Sequence, residues 1–280
     1  MYLDHKSTEG TDFSVSSIYP KETIRRVQSE LLKMAIQVRD ILDRNEIPYF
    51  LAFGTLLGAV RHEGFVPWDD DFDLFLFDDS YDRAMEVLEY ELPRELIVHS
   101  RKNDPLYFKA WASIRNTRID VVDAGLYHAD NSRLGYQCLG LDLYRIKKMP
   151  RSLVPIYKIE EAIAFFSRKL ESDLIDQMTH DTEVELLHRR RVKLLEERSS
   201  EEGEIEVFAF MILLRRPFLI DEILPLKNYT FEGVLFKGPA SSDPVLTSMY
   251  GDYMHLPEYA ERKSHYEKVV FKGASTKSVT

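Results

Sequence analysis

Asp71 and Asp73 stand one residue apart in "GFVPWDDDFDLFLF" (residues 64–77), where an acidic run meets an apolar one. Two carboxylates about 6 Å apart repel by on the order of 3 kcal/mol at an effective dielectric of about 20. On a strand, residues i and i+2 project to one face with Cα atoms about 6.5–7 Å apart. Asp71 and Asp73 can therefore converge on one point while Phe72 and Leu74 face the core. A hard divalent cation, Mg²⁺ or Mn²⁺, relieves the repulsion, and Mg²⁺ favours carboxylate oxygens. The chemistry such a pair offers is metal-assisted handling of a phosphate ester. Asp69 and Asp70 precede the strand and are expected to be exposed.

Just upstream, "FGTLLGAVRH" places Gly54 and Thr55 where a strand gives way to a helix. Backbone N–H groups at such a turn can hold a phosphate oxygen. A strand, a Gly-Thr turn, a helix and then a strand carrying Asp-x-Asp is the combination used by polymerase-β-type nucleotidyltransferases. There a third carboxylate comes from a neighbouring strand. "LGLDLYRI" (139–146) offers Asp142, an acid in an otherwise apolar run, and such residues are rarely buried without a partner. Asp120 and Asp123 in "RIDVVDAG" compete, with less continuously apolar neighbours.

The elements that must position these residues can be outlined. Ile24, Val27, Leu31, Ala35, Val38 and Leu42 recur at three- and four-residue steps, predicting a helix over 21–47 ended by Pro48. "YFLAF" (49–53) reads as a buried strand, 54–64 as a short helix, 71–77 as a strand and 79–92 as a helix. Strands are expected at 95–99, 107–114, 118–123 and 138–146. "FEGVLFKGP" (231–239) reads as sheet and "SSDPVLTSMYG" (241–251) as a helix with Ser241 or Ser242 as its cap. The fold class is α+β, with a mixed sheet, flanking helices and a helical insertion. The expected organisation is a flexible segment at 1–18, a catalytic core at 19–150, a helical insertion at 151–220, a return to the core at 221–272 and a flexible tail at 273–280.

The bulk composition narrows the function classes. The chain has 280 residues, 44% hydrophobic, enough for a sizeable core. Its net charge of −10 argues against general nucleic-acid binding. Its single cysteine, Cys138, excludes an internal disulfide framework and a cysteine-based structural zinc site, and reads as a small buried hydrophobe. The N-terminus lacks the basic and apolar regions of a signal peptide. The longest apolar run, "VFAFMILL" (207–214), falls short of the roughly 20 residues of a membrane span. The expected location is cytoplasmic. The helices expected at 156–170 and 207–220, with Phe beside Arg and Lys, raise contact with the cytoplasmic membrane face as an alternative to internal packing. "RRR" at 189–191 reads as a solvated helix face.

"IPYFLAFGTLLGAVRHEGFVPWDDDFDL" (47–74) closely resembles the signature of the LicD family, bacterial phosphocholine transferases related to fukutin and fukutin-related protein. A second match is "FEGVLFKGPASSDPVLTSMYGDYMHLPEYAERKSH" (231–265), which carries the family's F-x-G strand, its Tyr-Gly-Asp-Tyr segment and a later His. The resemblance implies a nucleotidyltransferase-like fold. Asp71 and Asp73 match the metal-binding pair, and Asp142 the acid of the family's Ile-Asp-Ile-Phe-Pro-Leu-Asp segment. Here the chain departs from the family: "LDLYRIKKMP" lacks the Phe-Pro and the second Asp.

The resemblance implies a CDP-alcohol donor such as CDP-choline and a glycan acceptor, lipid-linked or free. Phosphocholine would pass to a hydroxyl and CMP would leave. Mg²⁺ or Mn²⁺ on Asp71 and Asp73 would neutralise the diphosphate. Asp142 would complete the metal site or act as general base. Arg61 and His62 would contact donor phosphates or lock the loop against Asp69 and Asp70. Lys109 and Arg115 are further phosphate-contact candidates, set against a plain reading as surface cations. Trp68, Tyr107, Trp111 and Tyr136 offer aromatic faces to a choline headgroup, Trp68 foremost. Tyr250, Asp252 and His265 belong to the second motif, and His265 is divided between approaching the site and a structural hydrogen bond. Two other functions stay open: an NTP-dependent nucleotidyltransferase acting on a sugar or small alcohol, and a catalytically silent nucleotide- or glycan-binding member.

Overall fold

The computed structural model describes residues 21–123, 134–174, 190–191, 193, 205–210, 216–258, 261–262 and 264–272. The segments expected at 1–18 and 273–280, and most of the charged stretch 175–204, lie outside the described residues.

Helix α1 (Lys21–Arg44) forms as its periodicity predicts, with Ile24, Val27, Leu31, Ala35, Val38 and Leu42 all buried along one face. Glu46 turns the chain with φ 54° and Pro48 leads into β1 (Tyr49–Leu51). Helix α2 (Phe53–His62), strand β2 (Asp73–Phe77) and helix α3 (Asp78–Glu91) follow. Strands β3 (Leu96–His99), β4 (Ala112–Asp123) and β5 (Cys138–Pro150) complete the centre of the sheet. Beyond them come α4 (Val154–Leu174), β6 (Glu206–Ala209), β7 (Phe218–Leu219) and the one-turn α5 (Ile220–Ile223). The hairpin β8 (Lys227–Phe231) and β9 (Val234–Gly238), helix α6 (Ser242–Tyr250) and strand β10 (Tyr266–Phe271) finish the fold.

Among the described residues the main sheet has eight strands, with the path β1-β2-β5-β4-β10. Strand β3 joins β4, and β6 joins β5 and carries β7. Strands β2 and β5 run parallel, and every other described pair is antiparallel, so the sheet is mixed and the fold α+β as expected. All five residues of β2 are buried, as a central strand covered on both faces requires. Two aromatic groups seat its neighbours. Phe53, Phe75, Tyr144 and Phe210 interlock with ring centroids 5.0–6.0 Å apart. Phe65, Phe72, Phe231 and Phe236 anchor the β8–β9 hairpin to the segment that precedes β2.

Three expected elements differ. Strand β2 begins at Asp73 rather than Asp71, so Asp71 lies in the segment that leads into the strand and not on it. The strands expected at 107–114 and 118–123 are replaced by one strand, β4, which starts only at Ala112 and whose pairing with β5 shifts register between Asn116 and Asp120. The polar "RNTR" there is an irregularity within a strand rather than a break, with Asn116 Oδ1 accepting the Arg118 N–H (3.0 Å). Of the helix expected at 207–220, residues 207–209 belong instead to β6 and 218–219 to β7, while 211–215 lie outside the described residues; β6 pairs antiparallel with residues 147–150 of β5. Short apolar runs do not separate helix from strand by periodicity, and here the neighbouring edge of β5 decides. Among the described residues, no helix is long and apolar enough to cross a membrane.

Candidate active site

Three backbone junctions bring the acids together. The Ala52 N–H donates to the Asp73 carbonyl (3.1 Å), so β1 ends where β2 begins. Phe53 then takes φ 40°, which a bulky residue rarely adopts, and its ring is pinned by Phe75, Tyr144 and Phe210. That turn starts α2, and the Thr55 hydroxyl accepts the Asp73 N–H (2.8 Å). On the other side of β2, the Asp142 N–H donates to the Phe72 carbonyl (2.9 Å) and Asp73 is in register with Asp142. Between α2 and β2, Pro67 and Trp68 form a turn closed by the Asp69 N–H on the Val66 carbonyl (2.9 Å), as Pro at the second turn position favours.

The carboxylates are not equivalent. Burial, then the charges of Asp71 and Asp142, push the Asp73 carboxyl well above the usual range. Burial also raises Asp71, whose Oδ1 is buried without a hydrogen-bond partner. Burial works to raise Asp142 too, yet the opposing influences of Lys109, Arg115, Ser113 and Trp111 hold it below the ordinary carboxylate value. The Trp111 Nε1–H donates to Asp142 Oδ2 (2.8 Å), the Ser113 hydroxyl donates to Oδ1, and Lys109 Nζ lies 3.6 Å from Oδ2. Asp142 is in register with Asp73, whereas Asp120 is paired with Lys272 (2.7 Å), so the geometry favours Asp142 over Asp120.

Asp70 is not exposed as expected but fully buried, and the Asp69 side chain is only 17% exposed. Asp70 accepts the backbone N–H groups of His265 (2.7 Å) and Tyr266 (3.3 Å) and lies 3.0 Å from His265 Nδ1. The other ring nitrogen of His265 lies 3.3 Å from Asp71 Oδ2. Burial alone would lower the imidazole's pKa. The charge of Asp71, the hydrogen bond to Asp70 and the charge of Asp69 outweigh it and push it up to about 12. Asp69, Asp70 and His265 present ligand-type atoms within 4.8 Å of one another. The positive charge that these neighbours favour on His265 offsets that of the surrounding carboxylates.

The orphaned Asp71 Oδ1 and the mutual repulsion of Asp71, Asp73 and Asp142 are what a divalent cation would relieve, so these residues fit the expected ion. The Gly54 turn faces the same place. A Cβ built on Gly54 would meet Asp69 Oδ2 at 2.6 Å, so the Asp69 carboxylate lies against the first turn of α2, where the helix dipole favours an anion.

The remaining candidates divide. Lys109 and Trp111 lie at Asp142, and the Trp111 ring packs on Tyr144 (4.7 Å). Arg115 is not a surface cation. It is buried, with Nη1 donating to the Cys138 carbonyl (3.0 Å) and Nη2 3.4 Å from Ser113 Oγ. It supports Asp142 from within the sheet. Arg61 and His62 sit at the other end of α2, about 10 Å along its axis from Gly54. They do not lock Asp69 and Asp70. Arg61 Nη1 donates to the Tyr253 carbonyl (2.6 Å) and its Nε–H to His62 Nε2 (2.9 Å). Arg262 lies 4.7 Å from the Trp68 ring centroid. Tyr107 and Tyr136 pack on His99 (4.4 and 5.0 Å), and Tyr107 is fully buried, so it offers no open face. Cys138 is buried, as expected. Sequence reasoning missed Ser113 as a partner of Asp142. The signal was the antiparallel pairing that sets residue 113 opposite residue 142.

A family model described as "LicD/FKTN/FKRP, nucleotidyltransferase domain" matches residues 46–133, a stretch that includes Gly54, Thr55, Asp71 and Asp73. The chain is similar to the lipopolysaccharide cholinephosphotransferase LicD of Haemophilus influenzae, 23% identical over 262 residues that cover 88% of this chain and 97% of that protein. It is also similar to an uncharacterized protein of Rickettsia prowazekii, 31% identical over 96 residues that cover 28% of this chain and 36% of that one.

Proposed function

This chain belongs to the LicD family, and we propose from that premise that it transfers a phospho-alcohol, phosphocholine foremost, from a CDP-alcohol to a hydroxyl of a cell-surface glycan. The acceptor oxygen attacks the phosphorus nearer the alcohol, the bond from that phosphorus to CMP breaks, and CMP leaves. The observation that carries this reading is the register pairing of Asp73 with Asp142 beside Asp71, whose Oδ1 is buried and bare.

Asp71, Asp73 and Asp142 would hold Mg²⁺ or Mn²⁺, which when bound neutralises donor diphosphate charge and polarises the phosphoryl group. Asp142 acts as a fixed anion. Trp111, Ser113 and Lys109 hold its charged form, which suits a ligand better than a proton acceptor. Lys109, 15% exposed beside Asp142, is the side chain best placed to meet a donor phosphate. His265 offsets the charge of Asp70 and Asp71 and keeps their loop compact. Trp111, packed at a tilt against Tyr144 at the same site, is the better-placed aromatic for an alcohol headgroup. The similarity to a lipopolysaccharide cholinephosphotransferase supports both the phosphocholine and the glycan.

The test is CMP release from CDP-choline with and without Mg²⁺, with bacterial surface glycans as acceptors and Asp73→Asn as control. CMP that needs metal, acceptor and Asp73 supports the proposal. Pyrophosphate from NTPs, with CDP-choline untouched, would replace it with nucleotidyl transfer.

A further inference from the structure

We infer that Gln28, a residue of α1 outside both sequence motifs, is a positioning residue for the acidic loop. Gln28 is 1% exposed, a polar side chain on the otherwise apolar inner face of α1. Its Nε2 donates to the Val66 carbonyl (3.2 Å) and to the Asp69 carbonyl (2.7 Å). Those carbonyls belong to the first and last residues of the Pro67–Trp68 turn. One amide therefore clamps both ends of the turn that delivers Asp69, Asp70 and Asp71.

The orientation of that amide is itself fixed. Arg25 Nη1 donates to Gln28 Oε1 (2.8 Å), and a guanidinium can only donate, so the amide nitrogen must face the turn. Both nitrogens of the Arg25 fork lie 3.2 Å from the Glu232 carboxylate. Glu232 sits in the β8–β9 turn. Its Oε1 accepts the Phe65 N–H (3.3 Å), and its own N–H donates to the Glu63 carbonyl (2.8 Å). Gly64 leaves room for it, since a Cβ there would meet Glu232 Oε1 at 2.5 Å. A chain of contacts thus runs from the β8–β9 hairpin through Arg25 and Gln28 to the carbonyl next to Asp70. Ligating and catalytic carboxylates depend on such outer contacts for their orientation.

The inference rests on the reading of Asp71 and Asp73 as catalytic carboxylates, and its test has a readout independent of that reading. Amide hydrogen exchange of residues 64–72 is compared with that of residues 112–121 in wild type, Gln28→Leu, Gln28→Glu and Val27→Ala. Val27 is the fully buried neighbour on α1, and its apolar side chain makes no hydrogen bond, so its truncation loosens packing without removing a donor from the turn. Both Gln28 variants should accelerate exchange in 64–72 at least tenfold relative to 112–121, and Val27→Ala should not. Glu keeps the size and the acceptor for Arg25 but loses both donors, so it should behave like Leu. If a Gln28 variant does not fold, Arg25→Met frees the amide to rotate and should raise the same ratio two- to fivefold. Mn²⁺ titration of the same proteins should show affinity at least tenfold weaker in the Gln28 variants alone. Equal exchange ratios in the Gln28 and Val27 variants would overturn the inference. Wild-type protein that binds no Mn²⁺ would instead overturn the metal site, and the exchange ratio would still decide the role of Gln28.

Discussion

Asp73 and Asp142 face each other across the parallel pair β2–β5, yet their carboxyls are driven in opposite directions. Asp73 is surrounded by burial and like charge and is raised. Asp142 is buried too, but Lys109, Arg115, Ser113 and Trp111 hold it charged. One site therefore contains a carboxylate stabilised by its neighbours and another destabilised by them.

Asp73→Asn should separate activity from stability. CMP formation should fall at least 100-fold. The metal-free protein at pH 7, in the presence of a chelator, should melt about 2–4 °C higher, which corresponds to about 1 kcal/mol of relieved repulsion. Calorimetry and CMP assays on the same preparation check both, and a lower melting temperature would count against a strained acidic cluster.

Ser113→Ala and Trp111→Phe each remove a donor from Asp142 while leaving the sheet pairing intact. Each should lower kcat for CMP release by about 10- to 100-fold, the usual cost of losing a group that orients a ligating carboxylate. Steady-state kinetics at saturating metal check this, and unchanged kcat would mean that Asp142 needs no such support.

Gly140→Ala tests the burial of Arg115. The new Cβ would lie 2.7 Å from Arg115 Cδ and Nη1 and 2.9 Å from the Ile114 carbonyl. A backbone carbonyl cannot step aside cheaply, so the variant should lose about 1–3 kcal/mol from overpacking. Urea unfolding measures the loss. Wild-type stability would show that the strand pair yields more easily than the contacts imply.

His62 predicts part of the pH dependence of stability. Burial and the adjacent Arg61 lower its pKa to about 4 from an ordinary value of 6.5, and in its neutral form it accepts the Arg61 Nε–H. Between these two values the unfolded chain binds this proton and the folded chain does not. Stability should therefore fall as pH drops from about 6.5 to about 4 and take no further loss from this group below that. His62→Gln should flatten the urea midpoint over that window. An identical slope in variant and wild type would exclude His62 as a contributor.

Much of this architecture can be read from short-range patterns. The apolar steps of α1, the apolar run of β2 and the Gly54–Thr55 turn are local signals, and the structure realises all three. Asp142 was legible because an acid inside an apolar strand needs a partner. The burial of Asp70 was not legible, because its partners His265 and Tyr266 come 195 and 196 residues later. Arg115 misled for a related reason. A cation in a polar-looking stretch reads as surface, and only the glycine opposite it on β5 makes room for it inside. The β6 strand was missed because its edge partner, residues 147–150, lay outside any local window.

The imidazole that neutralises the acidic loop enters the chain long after the loop itself. His265 follows Asp70 by 195 residues, an interval of about 10–40 s at ordinary rates of synthesis. Throughout that time the nascent loop carries its negative charge without the imidazole, and the Asp70 carboxylate lacks the His265 and Tyr266 N–H donors. The site is therefore closed by one of the last described segments to be made, which ties the onset of its chemistry to near-completion of the described fold.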